Sequence, residues 1–160
     1  MSKIISDLEK QAYKFWKNGD YYISFLIFHS LLEGALRDFL KIPFGKDLKF
    51  SELIDKLQVF LTTESYEQPE EYPGELTENL KIFNKMRNKL IHNLWKYGYS
   101  ELNKKSKRAA QQAFLKYNLE VEYLATFDEE FQQKWSVDKN YDKNFGNLGE
   151  LEEWLKDYKL

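Results

Sequence analysis

The sequence predicts an all-α fold, an antiparallel helical bundle of five to six helices, and three observations predict it. Apolar residues recur every three or four positions over long stretches, the period of helices packed on one side. Seven Gly and three Pro in 160 residues are too few turn-formers for a sandwich of short strands. Only Gly19 and Asp20 separate the first two periodic segments, and so short a connection makes neighbouring helices antiparallel.

The first helix carries Ile4, Ile5, Leu8, Ala12, Phe15 and Trp16, and Gly19 stops it. Asp20 then caps a long, strongly apolar second helix, with Phe25, Phe28, Leu32, Ala35, Leu36 and Phe39, ending before Pro43. A short third helix, capped by Ser51, carries Leu53, Ile54, Leu57, Phe60 and Leu61. Residues 62–74 are polar and acidic and hold two prolines, the composition of a surface loop. The fourth helix runs from residue 75 to about 97 and stops near Gly98; the fifth spans roughly 106–135. Residues 1–135 thus form the bundle, and 136–160 supply a linker rich in Asp, Asn and Gly and a short amphipathic helix, through Leu151, Trp154 and Leu155, packing on it.

Twelve Phe, eleven Tyr and four Trp require a core built largely of rings. With no Cys, disulfides, thiol nucleophiles and Cys-based metal sites are excluded, and the two His, His29 and His92, match no metal-ligand spacing. No cofactor and no metal are expected. The first ten residues are charged and no apolar run approaches membrane-spanning length, so the expected location is the cytoplasm, away from membranes. A formal charge of −2 excludes a bulk polycation but leaves room for a local basic patch.

The fourth helix carries the most information. At 100° per residue, Leu76, Leu80, Phe83, Met86, Leu90 and Leu94 form one stripe, the expected core seam. Ile91 and Trp95 form a second ridge beside it, making the apolar arc wider than one packing partner needs. A further partner, another helix of this chain or a second protomer, is implied. Arg87 borders the stripe, where an unpaired guanidinium is costly, so it needs an open cleft or a carboxylate, with Glu33 and Asp38 as candidates. Asn88 and His92 stand one turn apart on one face.

The string Arg87-Asn88-Lys89-Leu90-Ile91-His92, late in a long helix of a small helical domain, resembles the signature of the HEPN domain family, an Arg followed after four to six residues by His. The segment from Ser30 to Leu40, with its acidic Glu33, is similar to the family's second helix, and the resemblance covers about residues 1 to 130. It implies a homodimer that joins two motifs across its interface. It also implies metal-independent cleavage of RNA in a toxin–antitoxin, anti-phage or RNA-processing setting, with a cognate antitoxin or nucleotidyltransferase protein as a possible partner. Arg87, His92, Asn88 and Glu33 are then the expected catalytic set. Other members of the family are catalytically silent modules that bind a protein or nucleotide partner.

The residue types suit the chemistry. RNA supplies its own nucleophile, the 2′-hydroxyl, so the protein need only position it, neutralise charge and move protons. An Arg fork stabilises the extra charge of a phosphorane-like transition state, and a His titrating near neutrality moves protons. Each residue also has a plainer reading. His92 suits the negative end of a helix, Arg87 can be a structural partner of Glu33, and His29 can be a satisfied helix–helix contact. Lys104, Lys105, Lys107 and Arg108, in the connection to the fifth helix, are the expected RNA-binding cluster, since cations near a helix N-terminus oppose its dipole. A solvated charge run is the plainer alternative. Tyr97 and Tyr99 are placed to stack on bases or simply to pack.

Overall fold

The computed structural model describes residues 2–43, 45–64 and 76–135. Among them are seven helices and no strand: α1 (Lys3–Lys17), α2 (Tyr21–Phe39), α3 (Phe50–Thr63), α4 (Leu76–His92), α5 (Leu94–Lys105), α6 (Lys107–Leu124) and α7 (Glu129–Trp135). The linker and amphipathic helix expected at 136–160, and most of the polar loop at 62–74, lie outside the described residues. No described helix is long and apolar enough to cross a membrane.

The α1–α2 turn closes as a Schellman motif. Gly19, at φ +85°, lets its own N–H reach the Trp16 carbonyl while the Asp20 N–H reaches that of Phe15. The chain reverses, and Ala12 meets α2 so closely that the buried Ser24 hydroxyl donates to the Ala12 carbonyl at 2.8 Å. Asp20 holds the N-cap position of α2, as expected, but its carboxylate makes no cap hydrogen bond. Asn103 of α5 replaces it, accepting from the Tyr22 N–H at 2.9 Å and donating to the Gly19 carbonyl at 2.7 Å. The α1–α2 turn and α5 are thereby pinned together across more than eighty residues of sequence.

α2 is the axis of the molecule and packs against all six other described helices. A helix apolar on so many sides is stable only when enclosed. Among the described residues ten of the thirty buried apolar side chains are rings, so the core is more aliphatic than the composition led one to expect, but the rings cluster around α2. Phe28 meets Phe114 edge-on at 5.0 Å, and Phe39 meets Phe60 and Phe131 at 5.0 and 5.6 Å. Trp135 closes one end, its ring over Gly34 and its Nε1–H donating to Asp38 at 2.8 Å. On α6, Lys116 and Glu120 pair at 2.9 Å with both side chains wholly buried, the condition for tolerating charge in an interior.

Three boundaries differ from expectation. The fourth helix does not continue to Tyr97. It ends at His92, where the Asn93 side-chain amide donates to the Lys89 carbonyl and competes with the helical ladder. The chain re-enters a helix at Leu94 and is bent again at Gly98, whose φ of +74° is outside the helical region. Periodicity missed α5 because it buries a single side chain, Leu102. The expected fifth helix is divided at Ala125–Asp128, where Asp128 accepts from the Phe131 N–H and so caps α7. Lastly, α3 begins at Phe50 and not after Ser51, because the Phe50 ring is buried 4.7 Å from the ring of His29.

Candidate functional site

The seam of α4 forms as expected: Leu76, Leu80, Phe83, Met86 and Leu90 are buried. Leu94 leaves that seam, because the break at Asn93 transfers it to the start of α5, where it is 36 % exposed. Around the rim, Arg87 is half-buried and Asn88 and His92 are exposed. Ile91 (37 %) and Trp95 (85 %) stand open beside them. The motif residues at the end of α4 and the exposed apolar residues Ile91, Leu94 and Trp95 thus share the α4–α5 junction, although the break at Asn93 divides Ile91 and Trp95 between two helices.

Neither expected carboxylate serves Arg87. Glu33 pairs with Arg37 one turn along α2 at 3.8 Å, and Arg37 is itself held by the Lys46 and Leu48 carbonyls. Asp38 is engaged by Lys134 at 2.7 Å and by Trp135. A local pair within one helix, and a pair to α7, satisfy these acids without reaching α4. Among the described residues Arg87 forms no ion pair.

In place of an acid, two side chains of α2 that stand two helical turns apart feel the Arg87 charge. Burial raises the Tyr22 hydroxyl pKa, and the guanidinium partly offsets that rise. His29 is 2 % exposed, and burial, reinforced by Arg87, pushes its pKa down to about 3, so the imidazole is neutral. The expectation that His29 is a satisfied contact fails at one atom: its buried Nε2 has no hydrogen-bond partner. The sequence pairs Arg87 with acids of the second helix and not with Tyr22 or His29, because charge points to a carboxylate while the register of α2 against α4 is set only by packing.

The basic cluster is split between two helix ends. Lys104 and Lys105 occupy the last turn of α5, where cations complement the dipole; only Lys107 and Arg108 open α6 and oppose it. Helix stability thus accounts for the first pair, a correction to the reading of one cluster at one N-terminus. Lys96 and Lys105 each lie over the Tyr97 ring, at 5.4 and 5.6 Å, and Lys107 lies over Tyr21 at 5.7 Å. Tyr99 packs edge-on against Tyr22 at 6.0 Å.

A separate cleft between α2 and α7, lined by Asp38, Lys41, Asp128, Glu130 and Trp135 among others, includes neither motif residue. Among the described residues no group of His, Asp and Glu is arranged to hold a metal ion. Compared with protein-family models, with curated proteins and with solved structures, the chain matches none.

Proposed function

We propose that this chain is a HEPN-type, metal-independent endoribonuclease that acts in the cytoplasm as a homodimer, with a composite site at the α4–α5 junction. The observation that carries the reading is the state of Arg87. It is half-buried, lacks a carboxylate among the described residues, and borders a face where His92 and Asn88 are open to solvent. A guanidinium kept for structure would be neutralised; one kept for an anionic ligand stays available. The exposed Ile91, Leu94 and Trp95 supply an apolar face for a second protomer, which would bring two Arg87–His92 sets together.

In this reading the RNA 2′-hydroxyl attacks the adjacent phosphorus and the 5′-oxygen leaves. One His92 takes the 2′ proton and the His92 of the other protomer donates a proton to the leaving oxygen. Arg87 stabilises the charge gathering on the non-bridging oxygens, and Asn88 orients the imidazole or a phosphate oxygen. Glu33, tied to Arg37, is left to support α2. A toxin, anti-phage or RNA-processing role, with an antitoxin or nucleotidyltransferase partner, is the setting the resemblance implies.

The test is a cleavage assay on RNA with EDTA present, alongside light scattering. Cleavage leaving cyclic-phosphate ends, reduced about 100-fold or more by His92→Ala and by Arg87→Ala, is expected. A monomeric wild type without nuclease activity would replace this reading by the catalytically silent module.

A further inference from the structure

We infer that the end of the bundle where α5 meets the α1–α2 turn and the start of α6 is a docking surface for single-stranded RNA, with Tyr97 as a base-stacking ring and Lys96, Lys105 and Lys107 as phosphate contacts. The inference rests on the RNA reading above and adds to it a binding surface outside the Arg87–His92 set.

Charge is the first support. From Lys85 to Arg108 the chain carries eight basic residues and a single acid, Glu101, inside a protein whose net charge is −2. The rest of the chain is correspondingly acidic, so a polyanion is directed to this segment. Helix stability explains Lys104 and Lys105 but leaves Lys107 and Arg108 opposing the α6 dipole.

The arrangement of rings is the second. Asn103 fixes α5 against the α1–α2 turn through its two hydrogen bonds, and this carries Tyr99 onto Tyr22. Lys107 reaches over Tyr21 from the start of α6. Tyr97, between the motif helix and the Gly98 bend, has two ammonium groups within 6 Å of its ring centre. Alternating cations and rings suit a strand whose phosphates and bases alternate. An exposed lysine–ring contact is weaker than base–aromatic stacking, so a base can take the ring while the ammonium moves to the adjoining phosphate. Only unpaired bases can do this, since a duplex presents its backbone and keeps its bases stacked. His92 lies five residues before Tyr97, so a strand held here continues towards the motif.

Fluorescence anisotropy on a labelled 12-nucleotide single-stranded RNA, in a His92→Ala background that prevents turnover, tests the surface. Tyr97→Ala should weaken binding at least about fivefold and Tyr97→Phe should retain it, with a duplex of the same length changed less than twofold. Lys105→Gln should lower the slope of log affinity against log salt by about 0.7. Thermal melts keep the comparison to variants that fold. If wild-type protein cleaves RNA while Tyr97→Ala binds the single strand as tightly as its parent, the surface is wrong and the nuclease reading stands. If the single strand is bound through Tyr97 but never cleaved, the surface stands and the nuclease reading falls. Equal losses on single strand and duplex, or no binding at low salt, overturn the surface.

Discussion

Around α2, the fold encloses a row of large apolar side chains: Phe25, Phe28, Leu32, Leu36 and Phe39 are buried against helices on several sides. At the α4–α5 junction, residues of the same kind and spacing, Ile91, Leu94 and Trp95, face solvent beside the half-buried Arg87. Folding alone explains the first set. It does not explain the second, because an indole left 85 % exposed contributes nothing to the core of its own chain. The contrast separates residues retained for folding from residues available to a partner, and it locates both on helices that look alike in sequence.

The largest expected effect lies on the core side of this comparison. Phe28→Ala removes a ring in contact with Phe114 and Tyr117 and should cost about 3–5 kcal/mol in denaturant unfolding. A cost below about 1 kcal/mol would mean that α2 is not the enclosed axis described above.

Next comes His29, which lies where the two regions touch. Unfolded, its imidazole takes a proton below pH 6.5; folded, it resists until about pH 3. The unfolded state therefore binds more protons across that window, and stability falls as pH drops, by up to about 1.4 kcal/mol per unit for this one group. His29→Leu removes the contribution, so by pH 5 the variant should gain about 2 kcal/mol on wild type relative to pH 8. Parallel stability–pH curves for the two proteins would show that the imidazole is not sealed in. Arg87→Ala should raise the His29 pKa, read by NMR, yet leave it below 6.5, because burial is the larger cause.

Asn103→Ala should cost about 1–2 kcal/mol, since it strips the N-terminus of α2 of the side-chain cap it has among the described residues and releases the Gly19 carbonyl. Asp20→Ala, by contrast, should be nearly silent in the same melts. Equal losses would return the capping role to Asp20.

The smallest effect on stability belongs to Trp95→Ser, within about 0.5 kcal/mol when measured on the monomer. In the homodimer proposed above, its consequence should instead appear in light scattering, as a shift to monomer at micromolar concentration. Substantial destabilisation of the monomer would move Trp95 to the folding side of the comparison.

Much of this protein was legible before its structure. Strong period and a short connection with Gly19 in it marked α1 and α2, period alone marked the body of α3, and the seam of α4 is buried from Leu76 to Leu90 as expected. What failed were the start of α3, set by the buried Phe50 ring, and the boundaries at Asn93 and Asp128, where one polar side chain redirects the backbone inside an unbroken apolar rhythm. The candidate site was legible as Arg87, Asn88 and His92, because a helix fixes the relation of residues one turn apart. Its surroundings were not.

Periodicity and composition, being local, determined the helical class and the rows that Arg87, Asn88 and His92 occupy. Which charges meet depends on how helices distant in sequence are set side by side. Only the tertiary structure decided that Tyr22 and His29 face the charge of Arg87, and that Asn103 caps a helix which Asp20 was positioned to cap. The reason is physical: an acid one turn away on its own helix is already in reach, whereas a partner on another helix is available only once packing has brought it there.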